Sequence, residues 1–181
     1  MKKEKRTFGH ISDGYGKRYL IFWLYLVLGD LEEAKVYFRW YEKAFEDDVG
    51  EPIQKLCWGL LVHRMGDDDR AKYLLADLML SNLYLIPEVL GNPIDPYPIG
   101  FGSNYAGYEY AKEVPSEILG SITEEDRSWI NGLYETMEFR RYRAQYLEIQ
   151  LELEQTRGYK DRSPLVSKAS GVLSGLRKHA R

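Results

Sequence analysis

The strongest constraint in this chain is an internal echo. Shifted by 37 residues, LGDLEEAKVYF (28–38) falls on MGDDDRAKYLL (65–75). Leu28 meets Met65, Gly29 meets Gly66, Asp30 meets Asp67, Ala34 meets Ala71, and Phe38 meets Leu75. Upstream, Trp23 and Leu24 fall on Leu60 and Leu61. Recurrence at this period implies one folding unit used twice. The spacing has a mechanical reading. An apolar helix ends at Leu28 or Met65, and the following glycine takes the left-handed conformation that closes a helix. The aspartate then caps the next helix with a carboxylate at its positive end. The alanines suit a close crossing of two helices, and Phe38 and Leu75 lie one turn further on the same face. Each unit therefore reads as a helix–turn–helix hairpin.

On these residues the chain resembles the tetratricopeptide repeat family. The pattern Gly-x-x-x-x-Ala-x-x-x-Phe is carried by Gly29, Ala34 and Phe38, and again by Gly66, Ala71 and Leu75. Tyr25 and Gly59 stand at the tyrosine and small-residue positions of the preceding helices. The chain departs from the family in its 37-residue period, in Tyr41 and Leu78 at the second alanine positions, and in the absence of a closing proline in the first unit. The resemblance covers residues 15–81. It implies a helical scaffold whose groove would be lined by Tyr19, Trp23, Leu56, Leu60, His63 and Arg64. The family's peptide-carboxylate clamp needs Lys and Asn where Tyr19 and Trp23 stand, so that subtype is disfavoured. These aromatics serve equally well as core.

Residues 82–120 read as an irregular bridge. Four prolines fall between Pro87 and Pro98, with glycines at 91, 100, 102 and 107, so one helix is excluded. Leu90, Ile94, Tyr97, Ile99 and Phe101 make it a packed segment, expected to cap the open end of the hairpins. Asn82, Tyr84, Pro87, Leu90 and Gly91 are similar to a tail motif of the suppressor of tumorigenicity 7 family, which implies a packed bridge and no activity. An inhibitor or enzyme with its site in the 92–110 bridge, around Tyr105, Tyr108 and Glu109, is the third functional reading.

The rest, residues 121–181, reads as helical. Ser121 and Thr123 precede Glu124 and Asp126, a capping box. From there to about Arg157 no proline intervenes, and Trp129, Leu133, Met137, Tyr142, Tyr146, Ile149 and Leu153 form one stripe. This predicts a single long helix, about 50 Å if unbroken. Ser163-Pro164 then predicts the start of a short amphipathic helix with Leu165, Ala169, Val172, Leu173 and Leu176 on one face. The whole is expected to be one all-α domain, residues 1–181.

Charge is segregated. Residues 1–20 hold six basic and two acidic groups, a net +4; residues 140–181 hold ten and four, a net +6; the middle carries −13. Arg140, Arg141 and Arg143 beside Tyr142 are candidate phosphate contacts, and nucleic-acid association through the basic ends is the second functional reading. Internal neutralisation is the expected use of these charges.

Catalytic and metal motifs are sparse. The lone Cys57 excludes an intramolecular disulfide framework and multi-cysteine metal sites. Cys57 and His63, six apart, do not stack as helix neighbours, and His10 and His179 are distant in sequence. Gly16-Lys17 lacks both the glycine (Ile11 stands there) and the Ser/Thr (Arg18) of a phosphate loop. Asp67-Asp68-Asp69 reads as helix capping rather than a metal site. The ten apolar residues 19–28 are too few to span a membrane and predict a buried helix. The leading MKKEKR is separated from them by 9–18 and does not read as a secretory signal. The expectation is a non-enzymatic, cytoplasmic scaffold that binds a protein or peptide partner, without cofactor. Its open end would be covered by the C-terminal helices or by a second chain, as a homo-oligomer.

Overall fold

Two glycine–aspartate junctions set the first four helices of the computed structural model. It describes Arg6, Thr7, Gly9, Asp13, residues 16–100 and residues 103–179, with the backbone alone for Leu173 and residues 176–179. His10, Ile11, Phe101 and the side chain of Leu176 lie outside the described residues. Helix α1 (Lys17–Leu28) ends on Gly29, whose φ of 68° is left-handed. Asp30 then caps α2 (Leu31–Ala44), its carboxylate accepting from the Glu33 N–H at 3.1 Å. Helix α3 (Pro52–Arg64) gives way at Gly66, φ 80°, and Asp67 caps α4 (Asp68–Ser81) by accepting from the Arg70 N–H. Ala34 and Ala71 are fully buried. At Gly59 of α3 an added Cβ would stand 3.9 Å from the Ala71 carbonyl oxygen, so small residues on both helices let α3 and α4 meet closely.

The bridge is irregular and packed, as its prolines and apolar residues require. It contains α5 (Leu85–Val89), a 3-10 turn at Asn104–Ala106, α6 (Tyr108–Ala111) and α7 (Ser116–Ser121). Asn82, 1% exposed, ties its start to its middle. Its Oδ1 accepts from the N–H groups of Tyr84 and Leu85, and its Nδ2 donates to the carbonyls of Tyr105 and Gly107. Within the bridge α7 packs on α1, and the C-terminal helices pack on α4.

Those helices correct two expectations. The single long helix is two, α8 (Glu124–Tyr134) and α9 (Met137–Gln155). Thr136 makes the break. Its hydroxyl donates to the Leu133 carbonyl at 2.7 Å, closing one helix, and accepts from the Phe139 N–H, opening the next. The final helix is not short. α10 (Tyr159–His179) has 21 residues, starts beyond Gly158 at φ 95°, and carries Pro164 inside it. α9 and α10 pack on each other, and both pack on α4, so a third helix pair extends the first two. Buried residues from Phe22 to Val172 form one connected core. Among the described residues the protein is all-α, without strands.

Helix α1 is less buried than its sequence suggests. Phe22 and Leu26 are enclosed, but Leu20, Leu24, Val27 and Leu28 are 42, 57, 45 and 72% exposed. Among the described residues, α1 packs on α2, α3 and α7.

Candidate functional site

The six residues of the expected groove do not form an open surface. Leu56 and Leu60 are 1% exposed and belong to the core. His63 stacks on Trp129 of α8, ring centroids 4.1 Å apart and nearly parallel, and its Nδ1 lies 2.9 Å from Asp68 Oδ1. Arg64 reaches across 62 residues: its Nη2 donates to Asp126 Oδ2 at 2.6 Å and to the Ser121 carbonyl at 2.7 Å, and its Nε to Asp126 Oδ1 at 3.2 Å. The end of α3 is therefore clasped by the start of α8. Asp126 is 2% exposed. Burial alone would raise its pKa, but hydrogen bonds from Arg64 and from the Thr123 N–H and hydroxyl hold it below the usual carboxylate range.

Tyr19 and Trp23 are half-buried and also engaged. The Tyr19 hydroxyl donates to Asp48 Oδ1 at 2.7 Å. The Trp23 indole nitrogen is buried and lies toward Glu51 without completing a full hydrogen bond. Glu51, 7% exposed, caps α3 and accepts a short hydrogen bond from the Tyr110 hydroxyl of α6. Burial pushes the Glu51 carboxyl above its ordinary pKa despite that bond. Most remaining aromatics of the first half are core: Phe22 sits against Tyr37, Phe38, Tyr41 and Trp58, with centroids 5.0 to 5.4 Å away.

The structure assembles instead a site that periodicity did not mark. A cavity of about 490 Å³ opens between the end of α2, the 45–50 loop, α3 and α4. Phe45, Trp58, Tyr73 and Leu74 supply apolar walls. Asp48 anchors one side. It accepts from Arg18 Nε at 2.6 Å, Tyr19 at 2.7 Å, Tyr41 at 2.9 Å and the Gly50 N–H at 3.1 Å, so its lone pairs are used. Despite burial, these donors lower its pKa. Lys55, whose side chain is 6% exposed, donates to Ser81 Oγ at 2.7 Å and lies 3.1 Å from Asp77. Arg70 sits over the Trp58 ring and pairs with Glu42.

Among the described residues, two donors on side chains that line this cavity have no acceptor. Gln54 Nε2 and Trp58 Nε1 are buried and unbonded. The orientation of the Gln54 amide is fixed by chemistry, because its Oε1 accepts from the Glu51 N–H at 3.1 Å and an amino group there could not. Gln54 and Trp58 are one turn apart on α3, so both side chains lie on one face. Leaving a buried N–H unpaired costs about 1–3 kcal/mol. Sequence held one local hint: Asp48-Val49-Gly50 is a turn signal, and Asp48 Oδ1 accepting from the Gly50 N–H is the turn it makes. Convergence with Lys55, Arg70 and Asp77 is tertiary.

The other candidates separate. Arg140 pairs with Glu135, Arg141 lies over Tyr142, and Arg143 sits 3.9 Å from the Tyr134 ring centroid. The three guanidinium groups thus have three different neighbours. In the bridge, Tyr105 meets Tyr110, Tyr108 meets Tyr84, and Glu109 pairs with Lys112. The Cys57 thiol is fully enclosed, and burial pushes its pKa up. Among the described residues no cluster of His, Cys, Asp and Glu has metal-site geometry, and no helix is long and apolar enough to cross a membrane.

Fold and site together define an all-α protein with an aromatic, donor-lined cavity between helix pairs. Compared with known proteins, the chain matches no family model, no curated protein and no solved structure.

Proposed function

We propose that this chain is a non-enzymatic helical scaffold that holds a segment of a partner protein, in the manner of the tetratricopeptide-like arrays it resembles. The Gly29-Asp30 and Gly66-Asp67 junctions at the 37-residue offset support that likeness, and the α9/α10 pair supplies a third unit of the stack. The observation that carries the binding reading is the pair of unsatisfied donors, Gln54 Nε2 and Trp58 Nε1, on residues that line the α2/α3/α4 cavity; both nitrogens are enclosed, so a ligand reaches them only where the cavity wall opens locally. A peptide offers the matching chemistry: carbonyl acceptors for the two N–H groups and side chains for the aromatic walls. The burial of Cys57 and the structural engagement of His63 leave neither poised as a nucleophile or base, which favours binding over catalysis. A single reduced thiol fits a cytoplasmic setting.

The test is peptide selection against the full chain from a random display library, followed by titration into ¹⁵N-labelled protein. Selected peptides should shift the Trp58 indole N–H resonance, assigned through Trp58→Phe. They should bind at least about tenfold more weakly to Gln54→Glu, which keeps the oxygen that caps α3 and replaces the free donor with an acceptor. No selectable peptide, or equal binding to wild type and Gln54→Glu, refutes the proposal.

A further inference from the structure

The walls of the α2/α3/α4 cavity also fix the charge of what can enter it. Four carboxylates, Glu42, Glu46, Asp48 and Asp77, line the cavity against two cations, Lys55 and Arg70. Three of the four are answered within the chain: Asp77 by Lys55, Glu42 by Arg70, and Asp48 by Arg18 and two tyrosine hydroxyls. Both cations are thereby engaged. Glu46 is exposed on the rim and, among the described residues, has no ion-pair or hydrogen-bond partner. The last turn of α2 ends at the same rim, with the negative end of its helix dipole. Val49, on the loop that follows, is 78% exposed and leaves an apolar side chain uncovered at the mouth. The chain itself shows which cation such walls accept. The guanidinium carbon of Arg70 lies 5.4 Å from the Trp58 ring centroid and that of Arg18 4.8 Å from the Phe45 ring centroid, each group paired with a carboxylate.

Resting on the peptide-binding reading, we propose that the partner segment is basic and that an arginine side chain of it enters this cavity. The donors Trp58 Nε1 and Gln54 Nε2, the latter on a residue 0% exposed, call for an acceptor. A carboxylate or phosphate would supply one, but it would meet a lining whose surplus is negative and whose cations are already paired, and like charge brought together opposes binding. A main-chain carbonyl is an acceptor without charge. The rest of the ligand then faces Glu46 and the aromatic walls, where a guanidinium gains a carboxylate and a ring face together. The volume of about 490 Å³ lies in the range of pockets that enclose small ligands. One arginine with its neighbouring carbonyls meets both demands: the cation turns to Glu46, and a carbonyl reaches Gln54 and Trp58 where the wall opens locally.

The peptides selected against the full chain supply the probe, each compared with a copy in which arginine is replaced by citrulline, its uncharged isostere. Selected sequences should be enriched in arginine and carry a net positive charge. In fluorescence-anisotropy titrations the citrulline copy should bind at least about fivefold more weakly than the arginine peptide. Glu46→Lys should weaken the arginine peptide by about fivefold and change the citrulline copy by less than about twofold. Affinity for the arginine peptide should also fall as salt is raised. Glu46 is exposed, so Glu46→Lys should keep the wild-type circular dichroism spectrum and urea midpoint, which shows that any loss is one of binding. Neutral or acidic peptides that still lose affinity for Gln54→Glu, or basic peptides indifferent to citrulline or to Glu46→Lys, overturn this inference and leave the peptide-binding reading standing. Failure to select any peptide overturns that reading, and this inference with it.

Discussion

Replacing Asp126 by Asn tests whether the α3–α8 clasp organises the second half of the fold. The substitution keeps size and shape but removes the charge. Four donors converge on this carboxylate: Arg64 Nη2 at 2.6 Å, the Thr123 N–H at 2.8 Å, the Thr123 hydroxyl at 2.8 Å and Arg64 Nε at 3.2 Å. An asparagine can present only one oxygen, so its amino group confronts an Arg64 donor in either orientation, and the two Thr123 donors as well when it takes the Oδ2 position. Breaking a buried ion pair costs about 3–5 kcal/mol when the surviving charge stays dry. The Arg64 side chain is 22% exposed and can turn to solvent, which lowers the expectation to about 2–3 kcal/mol. Urea unfolding followed by tryptophan fluorescence measures it, with Trp129 one turn along α8 as a nearby reporter.

The pH dependence follows from the direction of the shift. Asp126 has a lowered pKa in the folded protein, so its contribution is present above the unfolded-state value near 4 and is lost as pH falls through the folded-state value. The wild-type advantage over Asp126→Asn should therefore be full at pH 7 and shrink below about pH 4. In a double-mutant cycle with Arg64→Leu, the two substitutions should couple by at least about 0.5 kcal/mol. A loss under about 0.5 kcal/mol at pH 7, or additive effects of the two substitutions, would refute the reasoning.

Three further outcomes are expected. Gly66→Ala forces a side chain into φ 80° and should cost about 1–2 kcal/mol in chemical denaturation although nothing lies within 4 Å of the new Cβ; a neutral effect would remove the argument from backbone strain. Tyr110→Phe withdraws the hydroxyl that solvates buried Glu51 and should destabilise by about 1–3 kcal/mol at pH 7. Burial raises the Glu51 pKa and the Tyr110 hydrogen bond opposes that by favouring the ionised carboxylate, so the Tyr110→Phe deficit should narrow as pH falls toward 4 and Glu51 is protonated; a deficit that widens contradicts the assignment. Cys57 should resist Ellman's reagent in native buffer and react at once in denaturant, and rapid native reaction would disprove its enclosure.

The local junctions were readable in the chain because each is settled within a few residues. A glycine that needs left-handed φ, followed by an aspartate that caps three residues on, announces itself at 29–30 and 66–67. Thr123 and Asp126 likewise close their own capping box. The break at Thr136 was hidden because apolar residues recur at helical spacing on both sides of it, although Met137, counted in the stripe, is 86% exposed; periodicity reports one helix where a single hydroxyl makes two. α10 begins before Ser163 because Gly158 turns the chain first, and Pro164 is carried inside the helix.

What sequence alone determined is the helical class and the positions of those turns, both products of short-range chemistry. Which faces meet was a tertiary decision. The ends of α3 and α8 share no sequence pattern, yet Arg64 finds Asp126 and His63 finds Trp129, enclosing the residues that a repeat analogy would leave open. The cavity at Gln54, Lys55 and Trp58 and the bare stripe on α1 arise the same way. An amphipathic helix specifies that one side must be buried, but its choice of neighbour depends on the shape and charge of surfaces that exist only after the rest of the chain has folded.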